Sequence, residues 1–195
     1  MPGHLLKGLL LPLMLAGTSA LPACANDAHV APVGAYIETH VRPWIEDPLI
    51  VSTLKTLNLR NSYLTFPDID ELDARWRLEF TGRPKPLIDS IRNNPLSQFL
   101  AERQADANGF ITEIIVMDAR GLNAGVSEPT SDYWQGDEPK WQKTYLVGAG
   151  AVFIDEPQRD DSTNANQVQA SLTITDPETG QPIGAITVGI NLEAF

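Results

Sequence analysis

The chain has 195 residues, of which 14 are Lys or Arg and 25 are Asp or Glu, so its formal net charge is −11. This acidic balance argues against nucleic acid and anionic lipid as partners, because both need a basic face. The sequence contains one Cys and three His, which disfavours disulfides, thiolate catalysis and zinc sites rich in these residues. Beyond residue 40 there is no His, so a Ser-His-Asp arrangement would need His40 to fold back onto a distant nucleophile.

Residues 1–25 have the features of a secretory signal. A weakly basic start precedes the apolar run LLLPLMLAG, and the segment ends in Ala-Cys-Ala, a small-residue cleavage pattern. We expect cleavage after Ala25 and one mature domain of residues 26–195, periplasmic or secreted, with 13 basic and 25 acidic side chains once Lys7 is removed. The alternative is a lipoprotein signal at LPAC with lipid on Cys24, although Pro22 stands where such signals usually have a small residue.

Helical periodicity dominates the first half of this domain. Apolar residues recur at three- and four-residue spacing, which predicts helices at residues 33–45, 49–59, 67–80 and 86–107. A kink or break is expected near Pro43 and Pro48, because each proline lacks a backbone donor. Asp68 or Asp70 is predicted near the N-cap of the third helix. Asn108–Gly109 closes the fourth helix with residues that favour a left-handed turn.

The second half changes to short segments rich in β-branched residues. Strands are predicted, in chain order, at residues 111–117, 122–127, 151–154, 167–175 and 183–192. The turns Asp118–Gly121 and Asp176–Gln181 join neighbouring strands at hairpin spacing, so the sheet should be antiparallel. Residues 167–175 (QVQASLTIT) alternate, which predicts a strand with one solvated face. Helices followed by an antiparallel sheet indicate the α+β fold class.

An aromatic segment lies between the second and third predicted strands. Thr130–Tyr145 (TSDYWQGDEPKWQKTY) holds two of the four Trp and two of the four Tyr of the chain. The spacing of the rings does not fit one strand face, so we expect a loop and a following strand. Rings with polar neighbours suit a ligand pocket, whereas a minor core beneath a loop is the plainer interpretation. The rings with Asp132 or Asp137 could hold an ammonium group, or Lys143 could meet a carboxylate, and the sequence does not rank these.

Other polar residues are interpreted as structural. Asp118 is predicted to accept the backbone donors of its own turn, and Gly121 to supply a positive φ. The acidic cluster at 68–73 lacks the Gly of a calcium loop and is interpreted as a helix start, and the one at 160–164 as an exposed loop. No phosphate loop or sugar cleft is recognisable, so neither a cofactor, a metal nor an enzymatic activity is predicted.

The motifs together resemble the Cache family of extracytoplasmic sensor domains, which have a PAS-like fold, and above all its stand-alone secreted members. The resemblance covers roughly Leu87–Leu192. It is carried by the strand with the Asp118-x-x-Gly121 turn, the aromatic segment, and the final hairpin TDPETGQPIGAITVGI. It implies N-terminal helices packed on a central antiparallel sheet. It also implies a small ligand, an amino acid, amine or carboxylate, between the sheet and the loop and strand that follow the turn.

The resemblance places the ligand at the aromatic segment and at the end of the third strand. The predicted ligand-binding residues are Tyr133, Trp134, Asp137, Trp141, Lys143, Tyr145 and Asp155. The implied function is a periplasmic sensor domain that signals occupancy by a small polar metabolite to a membrane partner, such as a histidine kinase or chemoreceptor. The alternatives are a solute carrier and a protein-interaction module without a ligand.

Overall fold

The structure is a computed structural model that describes residues 28–159 and 166–195. The predicted signal peptide, cleavage after Ala25, lipidation of Cys24 and the acidic loop at 160–164 lie outside the described residues. No helix of the described part combines the length and the apolar character that crossing a bilayer requires.

The first half folds into helices whose starting points are fixed by proline. The helices are α1 (Val30–Tyr36), a π-helical turn (Ile37–Val41), α2 (Arg42–Ile45), α3 (Pro48–Asn61), α4 (Phe66–Thr81), α5 (Pro86–Arg92) and α6 (Pro95–Asp106). The helices from α2 to α6 each have a proline in the first turn, where its missing N–H would be unpaired anyway. The predicted break at Pro48 is confirmed, whereas at Pro43 the chain passes from the π turn into α2 without leaving the helical conformation.

One prediction about these helices is wrong. Residues 86–107 form two helices, because Pro95 forces the preceding Asn94 into an extended conformation with ψ 160°. Asn94 then caps α6 by accepting a hydrogen bond from the Ser97 N–H at 2.7 Å. The prediction that Asp68 or Asp70 lies near the N-cap of α4 is confirmed for Asp68, which is the N3 partner of the N-cap residue Thr65 in a capping box.

The second half forms one six-stranded antiparallel sheet, which confirms the α+β prediction. Its strands are β1 (Ile111–Asp118), β2 (Asn123–Val126), β3 (Val152–Ile154), β4 (Gln158–Arg159), β5 (Asn166–Thr175) and β6 (Pro182–Asn191). The order is β2-β1-β6-β5-β3, and β4 also pairs with β5. The left-handed turn at Asn108–Gly109 is confirmed by φ values of 50° and 87°.

Apolar clusters cover both faces of the sheet. Along β1, Ile114 and Val116 belong to a cluster with α1, α3 and α6, and Ile115 and Met117 belong to a second cluster with Trp76 of α4. This division follows the alternation of side chains along a strand. The predicted solvated face of β5 is wrong, because Ser171 is buried and its hydroxyl is hydrogen-bonded to the Thr187 hydroxyl at 2.9 Å. A short helix, α7 (Pro139–Gln142), packs against this strand.

Candidate functional site

The largest of the cavities described here lies between the helices and the edge of the sheet, and we call it the helical cavity. It has a volume of about 630 Å³ and is bounded by α3, α4, α5, the start of α6 and β2. It is lined by Leu49, Thr53, Leu57, Arg60, Asn61, Leu64, Leu72, Leu87, Ser90, Ile91, Asn94, Pro95, Leu96, Leu122, Ala124 and Tyr133. The α3 residues recur every three or four positions and therefore share one face of the helix.

The position of α5 against the cavity is fixed by a buried carboxylate of α4. Oε2 of Glu79 accepts hydrogen bonds from the N–H groups of Leu87 at 2.7 Å and Ile88 at 3.0 Å. Oε1 accepts one from Nε of Arg75 at 3.0 Å. Burial acts to raise the pKa of Glu79, but these hydrogen bonds and the Arg75 charge together hold it below its usual value. The first turn of α5, which supplies Leu87 to the cavity wall, is thus tied to α4.

One side of the helical cavity is polar. Arg60 is the single charged residue of its lining, and its Nε donates to Oδ1 of Asn61 at 3.3 Å. Among the described residues no carboxylate forms an ion pair with Arg60. Arg60 is an exposed residue that borders an otherwise mainly apolar cavity, and its terminal N–H groups are available to a ligand.

Tyr133 belongs to the same cavity lining. Its ring stacks on Trp76 with centroids 5.2 Å apart, and only 4% of the residue is exposed. Burial raises the pKa of Tyr133 to about 12, the negative charge of Asp118 adds to this effect, and Arg60 opposes it. The hydroxyl stays protonated at neutral pH and has no hydrogen-bond partner within residues 28–159 and 166–195, so it can act as a donor to a ligand.

Asp118 holds the polar side of the cavity in place through a hydrogen bond with Asn61. Its Oδ2 accepts a hydrogen bond from Nδ2 of Asn61 at 2.7 Å, and its Oδ1 accepts from the N–H groups of Arg120 at 2.8 Å and Leu122 at 3.0 Å. Burial raises the pKa of Asp118, and these hydrogen bonds oppose the rise. The prediction that Asp118 is a turn residue is confirmed, as is the positive φ of Gly121, 78°.

A second depression on the surface is called the aromatic groove. It has a volume of about 430 Å³ and is lined by Phe66, Ile69, Ala119, Arg120, Trp134, Gly136, Asp137, Trp141, Gln142 and Leu146. Nε1 of Trp134 donates to the carbonyl of Arg120 at 2.8 Å, and Nε1 of Trp141 donates to the carbonyl of Asp118 at 3.1 Å. The ring of Phe66 meets Trp134 edge-on at 83°. These contacts hold both indoles against the Asp118–Gly121 turn.

The predicted ligand-binding residues do not share one cavity. Tyr133 lines the helical cavity, whereas Trp134, Asp137 and Trp141 line the aromatic groove. Nζ of Lys143 lies 4.1 Å from the centroid of the Phe153 ring, and Tyr145 stacks on Trp141. Asp155 borders a separate small pocket with glutamines of β4 and β5, and its carbonyl is 3.0 Å from Nε2 of His29. Their role as ligand contacts stays a prediction.

The segment's secondary structure also differs from the prediction. The rings lie in a loop and in α7, and not in a loop and a strand, because Pro139 follows the extended Glu138 and starts a helical turn. Sequence reasoning missed Arg60 and Asn61. They share one face of α3 with Leu49, Thr53 and Leu57 at spacings of three or four residues, and this is the pattern by which they could have been recognised.

No group of three or more His, Cys, Asp and Glu side chains within the described ranges is arranged to hold a metal ion. This statement covers the acidic cluster at 68–73, where Asp68 is engaged in the capping box of α4.

No protein-family model matches the sequence, and no curated protein is similar to it. Solved structures of related shape include the sensor domain of the V. cholerae histidine kinase DctB, with 12% identity and a TM-score of 0.46 over 85% of this chain and 51% of that one. The ligand-binding domain of the Pseudomonas aeruginosa amino acid chemoreceptor PctC, in complex with GABA, has 12% identity and a TM-score of 0.37, covering 85% and 61%. The sensory domain of the Campylobacter jejuni chemoreceptor Tlp3 has 13% identity and a TM-score of 0.41, covering 85% and 64%.

The chain thus spans about half to two thirds of the length of these proteins. They are sensor and ligand-binding domains of histidine kinases and chemoreceptors, the class that the sequence resemblance names. At this level of similarity no residue's role is carried over from them to this chain.

Proposed function

We propose that the protein is a sensor domain that binds a small polar metabolite in the helical cavity and signals its occupancy to a membrane partner, such as a histidine kinase or chemoreceptor. The observation that carries the proposal is the combination, in one cavity of about 630 Å³, of apolar walls with an unpaired guanidinium and a protonated phenol. Cavities of this size with few polar groups are typical of small-molecule sites.

Export to the periplasm or beyond is part of the same proposal. It rests on the apolar run and Ala-Cys-Ala pattern at the N-terminus. The intact mass of the exported protein tests it. A mature chain that starts at Asn26 excludes lipid on Cys24, whereas an added diacylglycerol mass at Cys24 would establish a lipoprotein.

Thermal unfolding of the exported protein against amino acids, amines, organic acids and nucleobases tests ligand binding. A ligand at a hundred times its dissociation constant stabilises the native state by about 2.7 kcal/mol, which raises Tm by several degrees for a domain of this size. Thr53→Phe places a ring in the cavity and should abolish the shift. Thr56→Phe, on the exposed side of the same helix, is the matched control and should retain it.

Two results would count against the proposal in different ways. A shift that persists in Thr53→Phe would move the ligand out of the helical cavity. A well-folded protein that responds to no compound would remove the ligand-binding function altogether.

If the protein binds no small molecule, one observation favours a protein-interaction function. Phe66 and Leu146 line the aromatic groove with 66% and 62% of their surface exposed. Exposed apolar surface of this kind often marks a contact with another protein. Co-purification of a membrane sensor protein, lost in Phe66→Ser and Leu146→Ser and retained in Thr53→Phe, would support that function.

A further inference from the structure

We infer that the helical cavity selects a compact apolar carboxylate that carries no ammonium group, an inference that rests on the proposed function. It narrows the class of small polar metabolites to those whose only charged group is an anion.

The lining of the helical cavity has one positive charge and no negative charge. Arg60 contributes a positive charge, and the lining includes neither Asp nor Glu. Asp118 is near, but it is fully buried behind Asn61, and both its carboxylate oxygens already accept hydrogen bonds. An ammonium group in this cavity would lose its hydration without gaining a carboxylate partner, which is costly.

The hydrogen-bond donors of Arg60 and Tyr133 that are not used within the protein suit a carboxylate. Nε of Arg60 donates a hydrogen bond to Oδ1 of Asn61. The two terminal nitrogens of the guanidinium are left to donate to a ligand. A guanidinium binds a carboxylate through parallel N–H donors, and the Tyr133 hydroxyl adds a further donor on the same cavity lining. A neutral amide would accept these hydrogen bonds but would lack the negative charge.

Most other polar side chains of the lining are occupied within the protein, and the exception is the uncharged Thr53 hydroxyl, which has no hydrogen-bond partner among the described residues. Nδ2 of Asn94 donates to the Ala124 carbonyl at 2.9 Å, and the Ser90 hydroxyl donates to the Leu87 carbonyl at 2.7 Å. They therefore offer little to a second polar end of a ligand. The remainder of the lining is mostly Leu and Ile from α3, α4 and α5, which suits a branched or aromatic hydrocarbon group.

Matched ligands test the inference by isothermal titration calorimetry with the exported protein. The probes are 3-phenylpropanoate, 3-phenylpropanamide, 3-phenylpropylamine and L-phenylalanine, with 4-methylpentanoate and L-leucine as an aliphatic pair. We expect a carboxylate of either set to bind. The corresponding amide should bind about tenfold more weakly, and the amine and amino acid weaker still.

Substitutions of arginine locate the anion. Arg60→Gln should weaken carboxylate binding about five- to tenfold, and Arg60→Lys, which keeps the charge but not the planar donors, should have an intermediate effect. Arg83→Gln is the control, because Arg83 is exposed and lines neither the helical cavity nor the aromatic groove. Its binding should equal that of the unaltered protein.

The failure of this inference differs from the failure of the proposed function. An amino acid or amine that binds as tightly as the matched carboxylate would overturn the selectivity while leaving a ligand-binding domain. The same holds if Arg60→Gln and Arg83→Gln bind the carboxylate equally well, or if only compounds without a carboxylate bind. An absence of binding by every compound in these sets and in the wider panel would overturn the proposed function itself.

Discussion

The helical cavity and the aromatic groove are built on adjacent residues of one segment. Tyr133 lines the cavity and Trp134 lines the groove, and Oδ1 of Asp73 accepts hydrogen bonds from both backbone N–H groups, at 2.8 and 3.1 Å. Trp134 forms an isolated bridge with Leu122, and successive side chains of an extended segment point to opposite sides. Aromatic residues that cluster in the sequence are therefore divided between two surfaces in space.

The two surfaces also share a support. Asn61 in the cavity donates to the carboxylate of Asp118, and Trp141 in the groove donates to its backbone carbonyl. Asp118 of this turn thus accepts one hydrogen bond from the lining of the helical cavity and one from the lining of the aromatic groove. The cavity is bordered by helices and by Arg60, which forms no ion pair among the described residues, whereas the groove has an aromatic wall with Phe66 exposed. This contrast is the reason why small-molecule binding is proposed for the cavity and not for the groove.

The largest loss of stability is expected on substitution within the Asp118–Gly121 turn. Gly121 has φ 78°, and a Cβ added there would lie 2.6 Å from Cα of Gly136. Gly121→Ala should therefore combine left-handed strain with overpacking and lower the free energy of unfolding by about 3 kcal/mol in urea denaturation. Both surfaces should be perturbed, because the turn supports both.

Gly109→Ala is the matched control for that substitution. Gly109 has φ 87°, but an added Cβ would meet no atom within 4 Å. It should cost about 1–2 kcal/mol from strain alone. Equal losses in the two variants would contradict the claim that the close approach of Gly136 restricts residue 121.

A smaller loss of stability is expected on substitution of Glu79, which holds a helix of the helical cavity and does not line the aromatic groove. Glu79→Gln keeps an acceptor for the α5 N–H groups but loses the charge and the ion pair with Arg75, so unfolding should become easier by about 1–2 kcal/mol. Glu71→Gln, an exposed acid of the same helix, should stay within about 0.5 kcal/mol of the unaltered protein.

The pH dependence of the Glu79 effect has a definite sign. Because the pKa of Glu79 is lowered in the folded protein, its stabilisation is present above the ordinary carboxyl pKa of about 4.3 and is lost as the pH falls through the lowered value. The difference in unfolding free energy between the unaltered protein and the Glu79→Gln variant should therefore shrink below about pH 4. A difference that grows on acidification would contradict this assignment.

The sequence predicts much of the fold because the fold depends on local patterns. The period of apolar residues distinguishes helices from strands, and the Asp118–Gly121 turn follows from the residues that it contains. Pro95 indicates the start of a helix just as Pro86 does. The division of residues 86–106 into two helices is therefore predictable from the sequence. The prediction of a solvated face on β5 fails because the covering helix α7 comes from a different part of the chain.

The candidate site is less predictable for a related reason. The helical cavity is the space that remains between α3 and α5 after both pack on the sheet, and no local pattern encodes a space between distant segments. Tyr133 is predictable because aromatic rings are conspicuous in the sequence. Arg60 is not, since a single Arg near the end of a helix is ordinary until the structure shows that no carboxylate among the described residues pairs with it.

Apart from the control variants, Trp134→Phe should change stability least, and its effect on ligand affinity distinguishes the helical cavity from the aromatic groove most directly. Trp134→Phe removes the hydrogen bond to the Arg120 carbonyl but keeps an aromatic ring, so stability should fall by about 1 kcal/mol. If the ligand occupies the helical cavity, the affinity for a carboxylate should change by less than about twofold, because Trp134 does not line it. A tenfold loss measured by calorimetry would instead place the ligand in the aromatic groove, with Asp137 and Trp141 beside it. In that case Arg60→Gln should have no effect on affinity, so the two substitutions must give opposite results whichever surface binds the ligand.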